Sequence, residues 1–306
     1  GGRLVVADAG FPAEAAEKAG VSAFTFGRED LSRLPARPAY SNKGTFGKVL
    51  VVGGRKNMAG AAYLAALAAY RTGAGLVKIL TPEENREILQ TLLPEAVLIP
   101  YREEALLEEG GLTQEEVEGL CREASVVVLG PGLGRDEGAV KLVRAVLSAA
   151  CSPLVLDADG LNIVAEEEDL TRYFTENIVV TPHVLEMARL LHTSVKEVQK
   201  DIAGTAAGYA DRYGITCVLK DAATVVAGKD GSLYVNSSGC SAMAKGGAGD
   251  VLSGVIGALL AQGMEEPEAA ALGAYIHGLA GETAAARLGG RAVLARDLAD
   301  SLEGLA

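Results

Sequence analysis

Short aliphatic runs alternate with longer alanine- and leucine-rich segments from residue 48 onward. The short runs are continuously apolar, which is typical of strands buried on both faces. They lie at residues 48–52, 76–80, 126–129, 154–156, 178–180 and 217–219. The longer segments predict helices at residues 60–71, 83–92, 138–149, 186–191, 195–213, 249–262 and 267–287. This alternation predicts an α/β fold with a mostly parallel central sheet and helices on both faces.

Two other regions depart from this alternation. Residues 224–227 and 233–235 are strand-like and flank the glycine-containing stretch 228–231, which predicts a hairpin appended to the parallel strands. Residues 1–40 contain one short apolar piece followed by a charged stretch that prolines interrupt. We expect this segment to be a tail and linker, and residues 41–306 to form the main domain.

Composition excludes several classes of protein. The chain has 306 residues, 49% of them hydrophobic, and a mean hydropathy of +0.22, so it can form a large core. The net charge of -12 argues against nucleic acid held by bulk charge. The longest charge-free runs, at 57–70 and 251–264, fall short of the roughly 20 apolar residues of a membrane span.

The amino-terminal segment and the cysteines indicate a cellular compartment. Residues 1–30 lack the pattern of a signal peptide, and Gly1 in place of Met suggests a processed chain or a fragment. No Cys-x-x-Cys pair occurs among Cys121, Cys151, Cys217 and Cys240. We therefore expect reduced thiols and a cytoplasmic location.

Glycines and polar residues cluster directly after the predicted strands. Ligands of open α/β sheets bind beyond the carboxyl ends of the strands, so this edge is the predicted site. The segments concerned are 53–54, 130–134, 157–162, 181–186 and 220–224.

The segment Gly246-Gly247-Ala248-Gly249-Asp250 opens a predicted helix. Its backbone amides would form an anion cradle, in which Asp250 removes a proton from a substrate hydroxyl during phosphoryl transfer. Alternatively, Asp250 is only a helix cap. The phosphate loop Gly-x-x-x-x-Gly-Lys-Ser/Thr is absent from the chain. Lys245 is either a phosphate contact or an exposed lysine, with the exposed lysine slightly favoured.

Three further motifs allow two interpretations each. The Gly130 to Gly134 loop brings bare backbone to a ligand or is an ordinary turn, and it lacks the spacing of a dinucleotide fingerprint. The carboxylates Asp157 and Asp159 hold Mg²⁺ or, with Asn162, cap a helix. His183 contacts a ligand or is structural, and with Glu186 alone it is a poor metal site.

Taken together, these elements resemble the ADP/ATP-dependent NAD(P)H-hydrate dehydratases of the ribokinase-like superfamily. The segments that carry the resemblance are 43–54, Gly60-Ala61, 130–134, 156–159, Thr181-Pro182-His183 with Glu186-Met187, 220–224 and 246–254. Residues 5–12 also look like the closing strand of an NAD(P)H-hydrate epimerase domain. Such a domain precedes the dehydratase in bifunctional members.

The resemblance implies a repair reaction and a set of site residues. ADP, or ATP, with Mg²⁺ would phosphorylate the C6 hydroxyl of NADH or NADPH hydrate, and loss of phosphate would restore the cofactor. The substrate would contact Ala61, Gly130, Gly132, Gly134, His183 and the catalytic base Asp250. The adenine nucleotide would contact Lys220, Asp221, Ala222, Ala223, Thr224, Gly246, Gly247 and Gly249. A homotetramer is also implied.

Some positions depart from the family pattern. Val184-Leu185 stand where Pro-Gly is usual, Gly239 to Ala242 replace Gly-Asn-Pro-Gly, and Lys245 and Ala248 replace threonines. In addition, Asp221 stands where glycine is common. These changes leave donor preference open. The alternatives are a ribokinase-like kinase of a vitamin-precursor alcohol and a silent nucleotide-binding regulatory domain.

Overall fold

The computed structural model describes residues 23–106, 111–149 and 153–305, whose centre is a single β-sheet. Its strands are β1 Lys48–Val52, β2 Leu76–Pro82, β3 Val97–Tyr101, β4 Val126–Leu129, β5 Leu154–Leu156, β6 Ile178–Val180, β7 Thr216–Leu219, β8 Val225–Ala227 and β9 Leu233–Val235. They lie in the order β3-β2-β1-β4-β5-β6-β7-β8-β9. Neighbours from β3 to β7 are parallel, whereas β8 and β9 continue the sheet antiparallel. The predicted sheet and its appended hairpin are confirmed.

Helices cover both faces of this sheet. They are α1 Ala59–Arg71, α2 Arg86–Leu92, α3 Gln114–Glu123, α4 Glu137–Ala149, α5 Ala158–Glu166, α6 Val184–Leu190, α7 Val195–Lys200, α8 Ile202–Tyr213, α9 Ala248–Ala261, α10 Glu266–Leu288 and α11 Ala295–Asp300. Strand β1 shows how the faces divide. Val49 and Val51 enter one apolar cluster with α1, α9 and α10, while Leu50 and Val52 enter another with α4 and α8.

The sequence pattern did not predict strand β3 or helices α3, α5 and α11, and it joined two helices into one. Strand β3 contains Pro100, which lacks a donor for a sheet ladder, but β3 lies at the sheet edge where proline is tolerated. The helix predicted over 195–213 is interrupted at Asp201, whose backbone leaves the helical region. Its carboxylate then accepts the amide of Gly204 and begins α8.

Helix α1 is a core helix. Its alanines at 62, 65, 66, 68 and 69 are fully buried. Helix α9 approaches closely because Gly254 has no side chain, and a Cβ there would overlap the carbonyl of Ala65. This packing holds the beginning of α9 at the carboxyl edge of the sheet. None of the helices in the described residues combines the length and hydropathy that crossing a bilayer requires.

The part of the predicted linker that the structure describes packs against the domain. Phe24 forms a parallel bridge with Tyr234 of β9, and Phe26 is only 6% exposed. A 3-10 helix, Arg28–Arg33, follows. The epimerase-like segment at 5–12 lies outside the described residues, and the proposed boundary at residue 41 stays a prediction.

Candidate functional site

Most of the predicted site residues meet at the carboxyl edge of the sheet. The connections after β4, β5, β6 and β7 converge there with the beginning of α9. His183, after β6, forms a backbone bridge with Lys220, after β7, and the Lys220 amide donates to the Pro182 carbonyl at 2.8 Å. Parallel pairing of β6 and β7 thus places these two residues side by side.

A buried ion pair lies at the centre of this edge. The Lys220 Nζ is 2.9 Å from Oδ1 of Asp157, whose side chain is 1% exposed. Ser253 of α9 donates from Oγ to the other oxygen, Oδ2, at 2.5 Å. Asp157 follows β5, Lys220 follows β7, and Ser253 belongs to α9. The carboxylate therefore joins three elements that are distant in sequence.

The charges of this pair stabilise each other. Burial alone would raise the pKa of the Asp157 carboxyl, but the Lys220 ammonium and hydrogen bonds from Ser253 and Thr181 outweigh it, so the pKa is lowered. Burial likewise opposes the Lys220 charge, yet Asp157 and Glu186 raise the pKa of the ammonium above its ordinary value. Both groups are therefore ionised at neutral pH.

Helix α9 begins directly above the ion pair. Its N-cap is Gly247, with a left-handed φ of 93° that favours glycine, and no side chain caps the helix end. The amides of Gly249 and Asp250 lie in the first turn, where the helix supplies no acceptor. A Cβ at Gly249 would lie 3.1 Å from Lys220 Nζ. Bare amides and an ammonium thus converge on one spot, which suits a phosphate group.

The Asp250 carboxyl lies in an environment that disfavours its charge. Burial raises the pKa of its carboxyl to about 7, with a further contribution from the negative charge of Asp157 and an opposing one from Lys220. No side-chain cap hydrogen bond is formed at this helix end, so Asp250 does not act as the N-cap. A buried carboxyl that titrates near neutrality is suited to general base catalysis.

His183 and Glu186 form a reciprocal cap at the beginning of α6. The His183 amide donates to Glu186 Oε2 at 2.8 Å, and the Glu186 amide donates to Nδ1 of His183 at 3.1 Å. An imidazole that accepts at Nδ1 is neutral, and burial, followed by the charge of Lys220, lowers its pKa. Burial raises the pKa of the Glu186 carboxyl to about 7. Glu186 is thus a second buried acid of this site.

The glycine loop after β4 contacts α1. Gly132, with φ of 62°, approaches so closely that a Cβ would lie 2.8 Å from the Cβ of Ala61. The Gly134 amide donates to Oδ2 of Asp159 at 2.8 Å. The Pro131 carbonyl accepts the Gly54 amide at 2.8 Å. These contacts bring together the predicted substrate residues Ala61, Gly130, Gly132 and Gly134.

A cleft of about 700 Å³ opens beside the beginning of α9. Of the predicted nucleotide residues, Lys220, Asp221, Ala222, Thr224 and Gly249 line it, and His183 lies at its wall. Its remaining lining comes from the loop after β9, from α9 and from α10, and consists of Asn236, Ser238, Gly239, Cys240, Ser241, Met243, Ala244, Ala248, Leu252, Ala274 and His277.

Several residues of this cleft were not predicted from the sequence. Asn236, Ser238 and His277 were not predicted, because they carry no glycine-rich motif and become neighbours only through the fold. Lys245 donates from Nζ to the Arg291 carbonyl at 3.0 Å, which agrees with its interpretation as an exposed lysine. Gly247 packs instead towards α1, where a Cβ would lie 2.6 Å from Leu64.

The carboxylates after β5 have protein partners. Asp157 is bound to Lys220 and Ser253, and Asp159 accepts from Gly134. Across residues 23–106, 111–149 and 153–305, no group of three or more His, Cys, Asp or Glu side chains is arranged to hold a metal ion. Mg²⁺ bound by protein alone therefore does not fit this part of the chain. An ion carried by nucleotide phosphates does not require such a cage.

Comparison with known proteins identifies the same family. The sequence profile described as NAD(P)H-hydrate dehydratase matches residues 49–303. The Bifunctional NAD(P)H-hydrate repair enzyme Nnr of Moorella thermoacetica is 41% identical over 98% of this chain and 57% of its own length. The ADP-dependent (S)-NAD(P)H-hydrate dehydratase of Neisseria meningitidis is 41% identical over 81% of this chain and 80% of its own.

A solved structure supports the same family as the sequence profile and the two relatives. The ADP/ATP-dependent NAD(P)H-hydrate dehydratase from Bacillus subtilis, co-crystallised with ATP/Mg²⁺, is 31% identical with a TM-score of 0.74, and the match covers 91% of this chain and 96% of that one. This chain spans little more than half the length of the bifunctional relatives. The chain belongs to the NAD(P)H-hydrate dehydratase family of the ribokinase-like superfamily.

Proposed function

We propose that this protein dehydrates (6S)-NAD(P)H hydrate to NAD(P)H, with ADP, or ATP, as the phosphoryl donor. The observation that carries the proposal is Asp250, a carboxyl with a pKa of about 7 that stands next to Gly249, a residue that lines the cleft, in the first turn of α9. The names of the relatives favour this reaction over a vitamin-precursor kinase with the same fold.

The first step is phosphoryl transfer. Asp250 takes the proton of the C6 hydroxyl as that oxygen forms a bond to the terminal phosphorus of ADP. The bond from this phosphorus to the bridging oxygen breaks, and AMP leaves. The Gly249 and Asp250 amides and the Lys220 ammonium stabilise the negative charge on the phosphoryl oxygens. The nucleotide phosphates would carry Mg²⁺, which screens their charge.

The second step is elimination. Phosphate is a far better leaving group than hydroxide, and the lone pair of the ring nitrogen drives cleavage of the bond between C6 and oxygen. Loss of a proton from C5 to solvent then restores the double bond between C5 and C6. The products are NAD(P)H, phosphate and AMP, and no electrons are exchanged with the protein. The buried Gly130 to Gly134 loop and Ala61 would hold the ring in place for both steps.

The decisive experiment mixes the purified protein with hydrated NADH, ADP and Mg²⁺ and follows the absorbance of reduced nicotinamide. We expect the absorbance to return only when a nucleotide is present. The Asp250→Asn variant should bind ADP normally and lose turnover. A folded wild-type protein that restores no absorbance with ADP or ATP would exclude the dehydratase. ADP binding in that case would favour the silent regulatory domain.

Three further proposals follow from the family. The chain is proposed to be the dehydratase part of a bifunctional protein, since it spans 57% of the Moorella relative. A homotetramer is proposed from the resemblance, and light scattering tests it. A cytoplasmic location is proposed because Cys217 is a buried free thiol.

A further inference from the structure

The segment before the parallel sheet packs behind β9 and α10, two elements whose neighbouring residues line the cleft. Residues 24–33, here called the N-terminal strap, extend the sheet beyond β9. The Phe24 amide donates to the Leu233 carbonyl, and the Val235 amide donates to the Phe24 carbonyl, both at 2.9 Å. The strap is thus hydrogen-bonded to β9 as a short additional strand.

Aromatic packing holds the strap in place. The Phe26 ring lies 4.9 Å from the ring of Tyr234 and 6.2 Å from that of Tyr275, measured between centroids. The Arg33 guanidinium lies over Phe26 and pairs with Glu268 of α10 at 3.2 Å. Tyr234 is 1% exposed beneath this cluster. The strap therefore clamps β9 to α10.

Hydrogen bonds continue from this cluster into the cleft. The Tyr234 hydroxyl donates to Oδ1 of Asn236 at 2.9 Å. The Asn236 amide donates to the Thr224 carbonyl at 2.8 Å, and its Nδ2 donates to the Ala274 carbonyl at 3.3 Å. Thr224, Asn236 and Ala274 all line the cleft. Tyr234, which Phe26 covers, thus orients Asn236 in one wall of the nucleotide site.

A second route joins the strap to the same loop. Ser237 donates from Oγ to the Phe26 carbonyl at 3.3 Å. Its neighbour Ser238 donates to the Tyr275 carbonyl at 2.8 Å and lines the cleft. The loop lies so close to α10 that a Cβ at Gly278 would overlap the Ser238 hydroxyl. The Phe26 carbonyl therefore holds the loop at Ser237. Tyr275, which packs on Phe26, holds it at Ser238.

We propose that the N-terminal strap positions residues 234–241 and thereby sets the affinity of the cleft for its adenine nucleotide. Phe26 acts as a positioning residue, because it touches Tyr234 and Tyr275 and not the cleft itself. That the ligand is an adenine nucleotide rests on the proposed function. The effect of the strap on the conformational order of residues 234–241 does not depend on that function.

The test uses the full chain with Phe26→Ala, Phe26→Leu and Ser237→Ala. Amide hydrogen exchange of residues 233–244 is measured without nucleotide, and ADP binding is measured by calorimetry. We expect Phe26→Ala to accelerate exchange in this segment and to raise the dissociation constant for ADP about tenfold. The KM for hydrated NADH should stay within error. Phe26→Leu should restore most of the affinity, and Ser237→Ala should give a smaller loss in the same direction.

Phe174→Ala is the matched control, because it removes a phenylalanine that packs on Tyr213 of α8, away from the cleft. It should leave ADP affinity unchanged. The inference is overturned if Phe26→Ala and Ser237→Ala leave both exchange at 233–244 and ADP affinity at wild-type values, or if Phe174→Ala weakens ADP binding equally. Faster exchange at 233–244 in a chain whose wild type binds no ADP would refute the proposed function and leave the positioning of the loop by the strap supported.

Discussion

The Lys220 ammonium is bound to the Asp157 carboxylate at 2.9 Å beneath the first turn of α9. The pair connects the ends of β5 and β7, and Ser253 ties it to α9. It therefore places a fixed positive charge under the bare amides without leaving an unpaired charge in the interior. Preorganised charge of this kind stabilises a transition state without reorganising during the reaction.

Breaking this pair should cost far more stability than a surface ion pair. Asp157→Asn or Lys220→Met leaves a buried charge without its partner, and each should lower the free energy of unfolding by about 3–5 kcal/mol. The double variant should lose less than the sum of the two. Urea unfolding of all four proteins provides the measurement. Losses that simply add would show that the two groups do not interact.

The pH profile should report Asp250. A base must be ionised to accept a proton, and burial raises the pKa of this carboxyl to about 7. We expect kcat/KM to rise with pH through about 7 and to level off above it. Glu186→Gln is the control, since Glu186 also has a pKa of about 7. This variant should keep the acidic limb of the profile. Disappearance of the limb in Glu186→Gln would assign it to Glu186 instead.

The contact between Gly132 and Ala61 should govern substrate binding. In Gly132→Ala the new Cβ would lie 2.8 Å from Ala61 and 3.0 Å from the Met58 carbonyl, so the loop must move. We expect the KM for hydrated NADH to rise about tenfold or more while the dissociation constant for ADP is unchanged. Gly208→Ala, in the open on α8, is the matched glycine substitution. It should leave both constants unchanged, and an unaltered KM in Gly132→Ala would refute this contact.

His277 should make the protein sensitive to mild acid. Burial, followed by the charge of Lys220, lowers the pKa of this imidazole to about 4, and its Nε2 has no hydrogen-bond partner within the described residues. Below the unfolded pKa of about 6.5, the unfolded chain binds a proton that the folded chain does not. Stability is therefore lost as the pH falls from about 6.5 to about 4.

The corresponding variant is His277→Asn. Between pH 7 and pH 5, its unfolding free energy should fall by about 2 kcal/mol less than that of the wild type. His192→Asn serves as the control, because this histidine is an exposed partner of Glu168. A change of equal size in this variant would show that the effect does not come from the buried position of His277. Identical pH dependence in His277→Asn and wild type would contradict the assignment.

Much of the architecture could be read from local pattern. Continuous aliphatic runs such as 126–129 are typical of strands covered on both faces, and the glycine-rich segment at 246–250 marks the start of a helix. Strand β3 was not predicted because Pro100 is a local signal against a strand. Proline is tolerated in an edge strand, but the local pattern does not specify which strand lies at the edge. The break between the two helices at Asp201 was not predicted because the hydrophobic periodicity continues across it.

The sequence by itself determined the fold class, the carboxyl edge as the site, and most of the residues gathered there. The tertiary structure alone decided which of these residues are partners. Asp157 had been a candidate metal ligand or cap, and it is the counter-ion of Lys220, 63 positions along the chain. Asn236 and His277 line the cleft for the same reason. Burial and charge pairing depend on distances between elements remote in sequence, and those distances are set only when the sheet and its helices pack.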